Sequence, residues 1–115
     1  MTTFVIDDLR NFRDDRPAVV ARTSADALAY LEANQDAHFT DIWFDHDLGE
    51  PNGELDTTMP VVNYLSERAF YDNPVNVDTV YVHTSNPVGA RQIVASLERF
   101  GYNVKKVPAE VYFIV

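Results

Sequence analysis

Short runs of β-branched and aromatic residues recur along this chain with helix-type stretches between most of them, and that alternation constrains the fold more than any other feature. Phe4-Val5-Ile6, Ala18 to Ala21, Asp41 to Phe44, Val77 to Val82 and Val104 to Val107 read as five strands. After the second, Thr23 or Ser24 caps a helix with Ala25, Leu28, Ala29 and Leu31 along one stripe. Thr58 caps the next, with Pro60 in its first turn and Val61, Val62, Tyr64, Leu65 and Ala69 facing inward. Pro87 opens a third helix, whose Ile93, Val94 and Leu97 point to the core and which Gly101 ends. Parallel neighbours need such crossovers, so the pattern predicts an α/β domain with a mostly parallel sheet.

Two departures from regular alternation are expected. Asn11 to Pro17 is charged and aperiodic, so the first crossover helix is short or missing, a loop or single turn standing in its place. Val111 to Val115 adds a further strand at an edge of the sheet. No repeat, linker or low-complexity tract divides residues 1–115, which read as one domain. Trp43 and Phe44, adjacent in the third strand, face opposite sides of it.

Composition removes several classes of function. The chain has no cysteine, which excludes disulfides, cysteine-ligated zinc and thiol catalysis. No apolar run reaches membrane-spanning length, and the first residues lack a signal-peptide pattern, so a cytoplasmic protein without membrane contact is expected. A net charge of −9 argues against broad binding to duplex nucleic acid, which draws its affinity from Lys and Arg. It leaves room for a small phosphate ligand, or a nucleic-acid end, held by a local cation.

In a parallel α/β sheet, ligands bind beyond the carboxyl ends of the strands. The residues just past each apolar run therefore converge. The first strand is followed by Asp7, Asp8 and Arg10, and the third by Asp45-His46-Asp47. The fourth leads into His83-Thr84-Ser85-Asn86 and the fifth carries Lys105 and Lys106. Chemistry-capable side chains at three successive core-strand exits form a stronger signal than any one of them.

These exits resemble response-regulator receiver domains, and more closely the receiver-like family of cyclic-phosphate-processing domains. Asp7-Asp8-Leu9-Arg10, Asp45-His46-Asp47-Leu48-Gly49 and His83-Thr84-Ser85-Asn86-Pro87-Val88-Gly89 carry the likeness over roughly the first hundred residues. The resemblance implies a three-layer, flavodoxin-like receiver fold with a five-stranded sheet and a site for cyclic phosphate groups. The loop from Glu50 to Met59 is long and acidic beside that pattern.

Three chemistries fit the residues. As a phosphoacceptor receiver, the chain would take a phosphoryl group on Asp45, hold Mg²⁺ on Asp7 and Asp8 and balance charge with Lys105. That leaves His46, Asp47 and His83 without work, and no proline directly follows the lysine as it usually does in receivers. Hydrolysis of a cyclic phosphate, on an RNA end or a cyclic nucleotide, uses more of the site. His46 and His83 would exchange protons, as acid and base or the reverse, with Asp45 and Asp47 favouring charged His46. Arg10, Thr84, Ser85 and Asn86 would hold the phosphate. This requires both imidazoles to face one phosphate-sized pocket. A third option keeps the site as a receptor that sequesters a cyclic nucleotide without cleaving it. Hydrolysis needs no cofactor if the histidines move the protons, while Asp7, Asp8 and Asp45 offer oxygens enough for Mg²⁺ or Mn²⁺.

Each residue also has a plain structural use. Asp7 and Asp8 at a strand end suit a turn cap, His83 suits a satisfied core position, and Asn86-Pro87 is an ordinary helix start whose amides also suit a phosphate. Asp14, Asp15, Glu50, Glu54 and Asp56 read as solvated loop charge. His38 lies at the opposite end of the sheet and is given no role. Lys105 and Lys106 alternate along a strand, so only one can face the site.

Overall fold

A computed structural model describes residues 1–115. Five parallel strands, β1 (Thr2–Ile6), β3 (Val19–Ala21), β4 (His38–Phe44), β5 (Asn76–Val82) and β6 (Val104–Lys106), form one sheet in the order β3-β1-β4-β5-β6. The helices α1 (Ser24–Ala33), α2 (Met59–Phe70) and α3 (Pro87–Arg99) supply three of its crossovers. This is the flavodoxin-like receiver architecture, and no helix in it is long and apolar enough to cross a membrane. The chain turns to one side of β1 for β3 and to the other for β4, β5 and β6. The carboxyl ends of β1 and β4 therefore flank the point where the strand order reverses.

Period-two alternation sorts the strand side chains onto two unlike faces. Phe4, Ile6, Ile42, Phe44, Val80 and Val82 face α1, α2 and α3, which answer with Ala27, Leu31, Val61, Val62, Leu65, Ala90, Ile93 and Leu97 in the main core. Val5 and Trp43 point the other way, into a four-residue core completed by Phe12 and Phe113. Trp43 and Phe44 thus face opposite sides of β4, as alternation requires.

The second face is covered by a ribbon rather than by helices. The link from β1 to β3 holds no crossover helix; its only regular piece is β2 (Asn11–Phe12). Arg22 pins this link, donating from Nη1 to the carbonyls of Asp7 and Arg10 at 3.2 and 2.8 Å. The expected strand near residue 111 does form, as β7 (Phe113–Ile114) after the single turn α4 (Ala109–Tyr112). The extra strand pairs antiparallel with β2 in a two-stranded ribbon rather than with the outermost strand of the five-stranded sheet. Phe113 explains the difference: it stacks on Phe12 at 4.6 Å and packs edge-on to Trp43 at 5.4 Å, burying an aromatic that an edge position would expose.

Two residues before helix starts differ from expectation. Thr58 has helical backbone angles, so its hydroxyl cannot fold back on the α2 amides and lies buried without a partner. The Thr57 hydroxyl accepts from the Met59 amide at 3.2 Å instead. Asp56 is not solvated loop charge. Its carboxylate accepts from the Ser24 amide at 2.8 Å and from the Ser24 hydroxyl, tying the β4–α2 loop to the start of α1.

Candidate functional site

Four backbone bonds carry the parallel ladder one step beyond the strands. The amides of Asp7, Asp45, His83 and Val107 donate to Ala21, Ile6, Phe44 and Val82 at 3.1, 3.0, 3.0 and 2.9 Å. Asp7, Asp45 and His83 thus each follow a residue of the main core, and alternation turns all three to the ribbon-covered face. His46, one residue after Asp45, falls on the helix side.

The ribbon-side cluster is dense. His83 Nε2 donates to Asp7 Oδ2 at 2.9 Å, and both side chains are wholly buried. The His83 ring stacks on Phe113 with centroids 4.3 Å apart and lies 6.2 Å from Trp43; its Nδ1 has no partner. Asp7 Oδ1 accepts from the amides of Leu9 and Arg10, each at 2.9 Å. Burial alone would raise the Asp7 carboxyl, but the His83 bond and these amides outweigh it and hold the pKa at about 2. Arg10 Nη1 spans the cluster, 3.5 Å from Asp7 Oδ2 and 3.3 Å from Asp45 Oδ2. Asp45 is raised, first by burial and then by the Asp7 charge, against a bond from the Thr84 hydroxyl and another from the His46 amide. Asp8 is raised in turn by burial, and Gly49 leaves room beside it, since a Cβ there would lie 3.1 Å from Asp8 Oδ2.

A second cluster sits over the first turn of α3. His46 Nδ1 bonds Asp47 Oδ1 at 3.0 Å, and Asp47 Oδ2 accepts from Asn86 Nδ2 at 3.1 Å. Asn86 is also the N-cap of α3, taking the Gly89 amide on Oδ1 at 3.0 Å. The imidazole rests where a side chain at position 89 would be, because a Cβ on Gly89 would fall 2.4 Å from His46 Cγ. Burial opposes ionisation of Asp47, but the bonds from His46 and Asn86 outweigh it and lower the carboxyl below its ordinary range.

Beyond β5 and β6 opens a groove of about 600 Å³ lined by Arg10, Arg13, Lys106, Thr84 and Ser85, with Val107, Phe113 and Ile114 in its apolar wall. Glu110 is the one acid among its lining residues. Three of the chain's nine Lys and Arg meet here despite the overall charge of −9.

Of the residues picked out from sequence, the structure brings Asp7, Asp8, Arg10, Asp45 and Thr84 together, sets Ser85 with Arg10 on the groove, and joins His46, Asp47 and Asn86 separately. It does not turn the two histidines to one pocket. His83 is sealed beneath Phe113, so the expectation that it meets a substrate is corrected; it holds Asp7. Lys106, not Lys105, reaches the groove. Arg13 escaped notice in the sequence because it sits in an aperiodic segment. Its amide and Nε bond the carbonyls of Tyr112 and Glu110 at 2.8 and 2.9 Å, contacts across about a hundred residues that no local pattern encodes.

Asp7, Asp8 and Asp45 each bring one oxygen within 4.8 Å of the others, a spacing that suits a divalent ion. As the side chains stand they do not form a free cage. Oδ2 of Asp7 and Oδ2 of Asp45 already face the Arg10 guanidinium, and Asp7 has a donor on each oxygen.

Fold and site together define a receiver-type α/β domain in which the acid just past β4 is followed by a histidine and lies near a basic groove. The family model described as cyclic-phosphate processing receiver domain matches residues 2–99, and the chain belongs to that family. Neither a curated protein nor a solved structure matches it.

Proposed function

We propose that the chain hydrolyses a cyclic phosphate ester, on a nucleotide or an RNA end, seated in the groove beyond β5 and β6. The carrying observation is the meeting of Arg10, Arg13 and Lys106 with the Thr84 and Ser85 hydroxyls in an otherwise strongly acidic chain. Cations and hydroxyls around one cavity suit the charged oxygens of a bound phosphate ester.

Hydrolysis adds water to phosphorus, breaks one ring P–O bond and leaves a proton on the departing oxygen. His46 is the better oriented imidazole for a proton transfer. Its Nδ1 is engaged by Asp47, which leaves Nε2 as the working nitrogen, the arrangement of a base held by a carboxylate. Asp45 is the proposed second proton carrier, since burial and Asp7 keep its carboxyl raised. Thr84 touches Asp45 and lines the groove, while Asn86 touches Asp47, so one loop runs from the groove wall to the neighbours of both carriers. His83 is a positioning residue that fixes Asp7. No step in this scheme uses a divalent ion.

The groove also supports a second reading, in which the ester is bound and kept. His46 is not among the residues that line the groove. Incubation with 2′,3′-cyclic, 3′,5′-cyclic and cyclic-oligonucleotide substrates separates the two. Turnover in EDTA that falls about 100-fold in His46→Ala is expected. Absence of turnover for every substrate, with or without Mg²⁺ or Mn²⁺, sinks the hydrolase; calorimetric binding without turnover leaves the sequestering role.

A further inference from the structure

The inner acids raise a separate question: what neutralises them. Asp7, Asp8 and Asp45 lie within 4.8 Å of one another through single oxygens, at the end of a receiver-type sheet. Side by side in a mostly buried setting, three carboxylates need a counter-charge. The chain supplies one from its own backbone turn. The Arg10 amide closes on Asp7 Oδ1 at 2.9 Å, and the same residue's Nη1 reaches Asp7 Oδ2 and Asp45 Oδ2 at 3.5 and 3.3 Å. Two faces of one carboxylate are thus served by one residue three positions along. Its backbone is held in turn by Arg22, whose Nη1 bonds the Arg10 carbonyl at 2.8 Å.

We infer that Arg10 is the resident cation of this site and stands where a receiver-type sheet would hold a divalent ion, so that Arg10 and a metal compete for the same carboxylate oxygens. Mg²⁺ demands a near-octahedral set of oxygens at about 2 Å. A guanidinium on two of the three prospective ligands denies that set, and the Asp7 oxygens are further committed to His83 and to two amides. The Arg10 contacts are long for hydrogen bonds and its side chain is about a quarter exposed, at 27%. The guanidinium is accordingly a loosely seated bridge that can face the groove without leaving the acids. This concerns the site of the proposed hydrolysis but is read through ion binding, so it stands or falls apart from turnover.

The test is titration of the full chain with MnCl₂, followed by the electron paramagnetic resonance signal of free Mn²⁺. Arg10→Ala and Arg10→Gln, checked for cooperative urea unfolding, are expected to bind Mn²⁺ at least about fivefold more tightly than the wild type, the effect of removing one partly exposed charge from contact. Arg10→Lys, which keeps the charge, should stay within about twofold of the wild type. A gain below about fivefold in whichever uncharged variant folds overturns the inference, and so does the absence of measurable Mn²⁺ binding in it.

Discussion

His83 Nε2 donates to Asp7 Oδ2 at 2.9 Å with neither side chain exposed, joining the exits of β1 and β5 beneath the carboxyl end of β4. Residues 76 positions apart in sequence thereby become one buried pair. Removing one partner leaves the other's polarity uncompensated in the interior, a far larger loss than breaking a surface ion pair.

Acid stability should report this pair. The Asp7 carboxyl sits at about 2 in the folded chain against an ordinary 3.8, so its ionised form favours folding at every pH above about 4. That contribution, about 2 kcal/mol, is lost as pH falls from about 4 to about 2. Asp45, raised by burial and by Asp7, acts in the opposite sense and favours the folded state while protonated. Urea unfolding between pH 2 and 7 should give Asp7→Asn a lower plateau at neutral pH and a flatter fall on its acid side. An unchanged acid limb would show that Asp7 is not the ionised partner.

Gly89 should matter through the ring it makes room for. An alanine Cβ would fall 2.4 Å from His46 Cγ and 2.6 Å from Cδ2, too close for the imidazole to stay. Alanine gains up to about 1 kcal/mol of helix propensity over glycine, so the fold should survive. Gly89→Ala is expected to lower turnover at least about tenfold by displacing His46, with a shifted His46 imidazole resonance. Full activity with an unmoved ring would remove His46 from the chemistry.

The groove cations should act on binding more than on chemistry. Lys106→Ala and Arg13→Ala should each raise KM, or Kd for a cyclic nucleotide, by roughly two- to fivefold with kcat little changed, because exposed charges contribute about 1 kcal/mol or less. Affinity in the wild type should fall with added salt, and less steeply in each variant. Equal salt slopes would show that the ligand does not use this groove.

Much of the site was legible from where the apolar runs stop. Ile6, Phe44 and Val82 end three strands, and the next residue in each case is Asp7, Asp45 or His83. The same alternation that put Trp43 and Phe44 on opposite faces also separates His46 from His83, since one is the second residue past its strand and the other the first. That parity was present in the sequence, and pairing the two histidines overlooked it. Asp56 was harder, because a loop acid in sequence says nothing about which helix end it will meet.

Residue order alone encodes the parallel sheet, the three crossover helices and the gathering of polar residues at the carboxyl ends of the strands. These follow from local periodicity and from the short reach of connections. Tertiary structure alone decided which side of the sheet would be sealed. The run near residue 113 pairs with β2, and Phe113 covers His83 and is buried with Trp43 in the second core. Long-range aromatic packing of this kind has no local signature, and it turned a candidate catalyst into the buried support of Asp7 while leaving Arg10, Arg13 and Lys106 facing the groove.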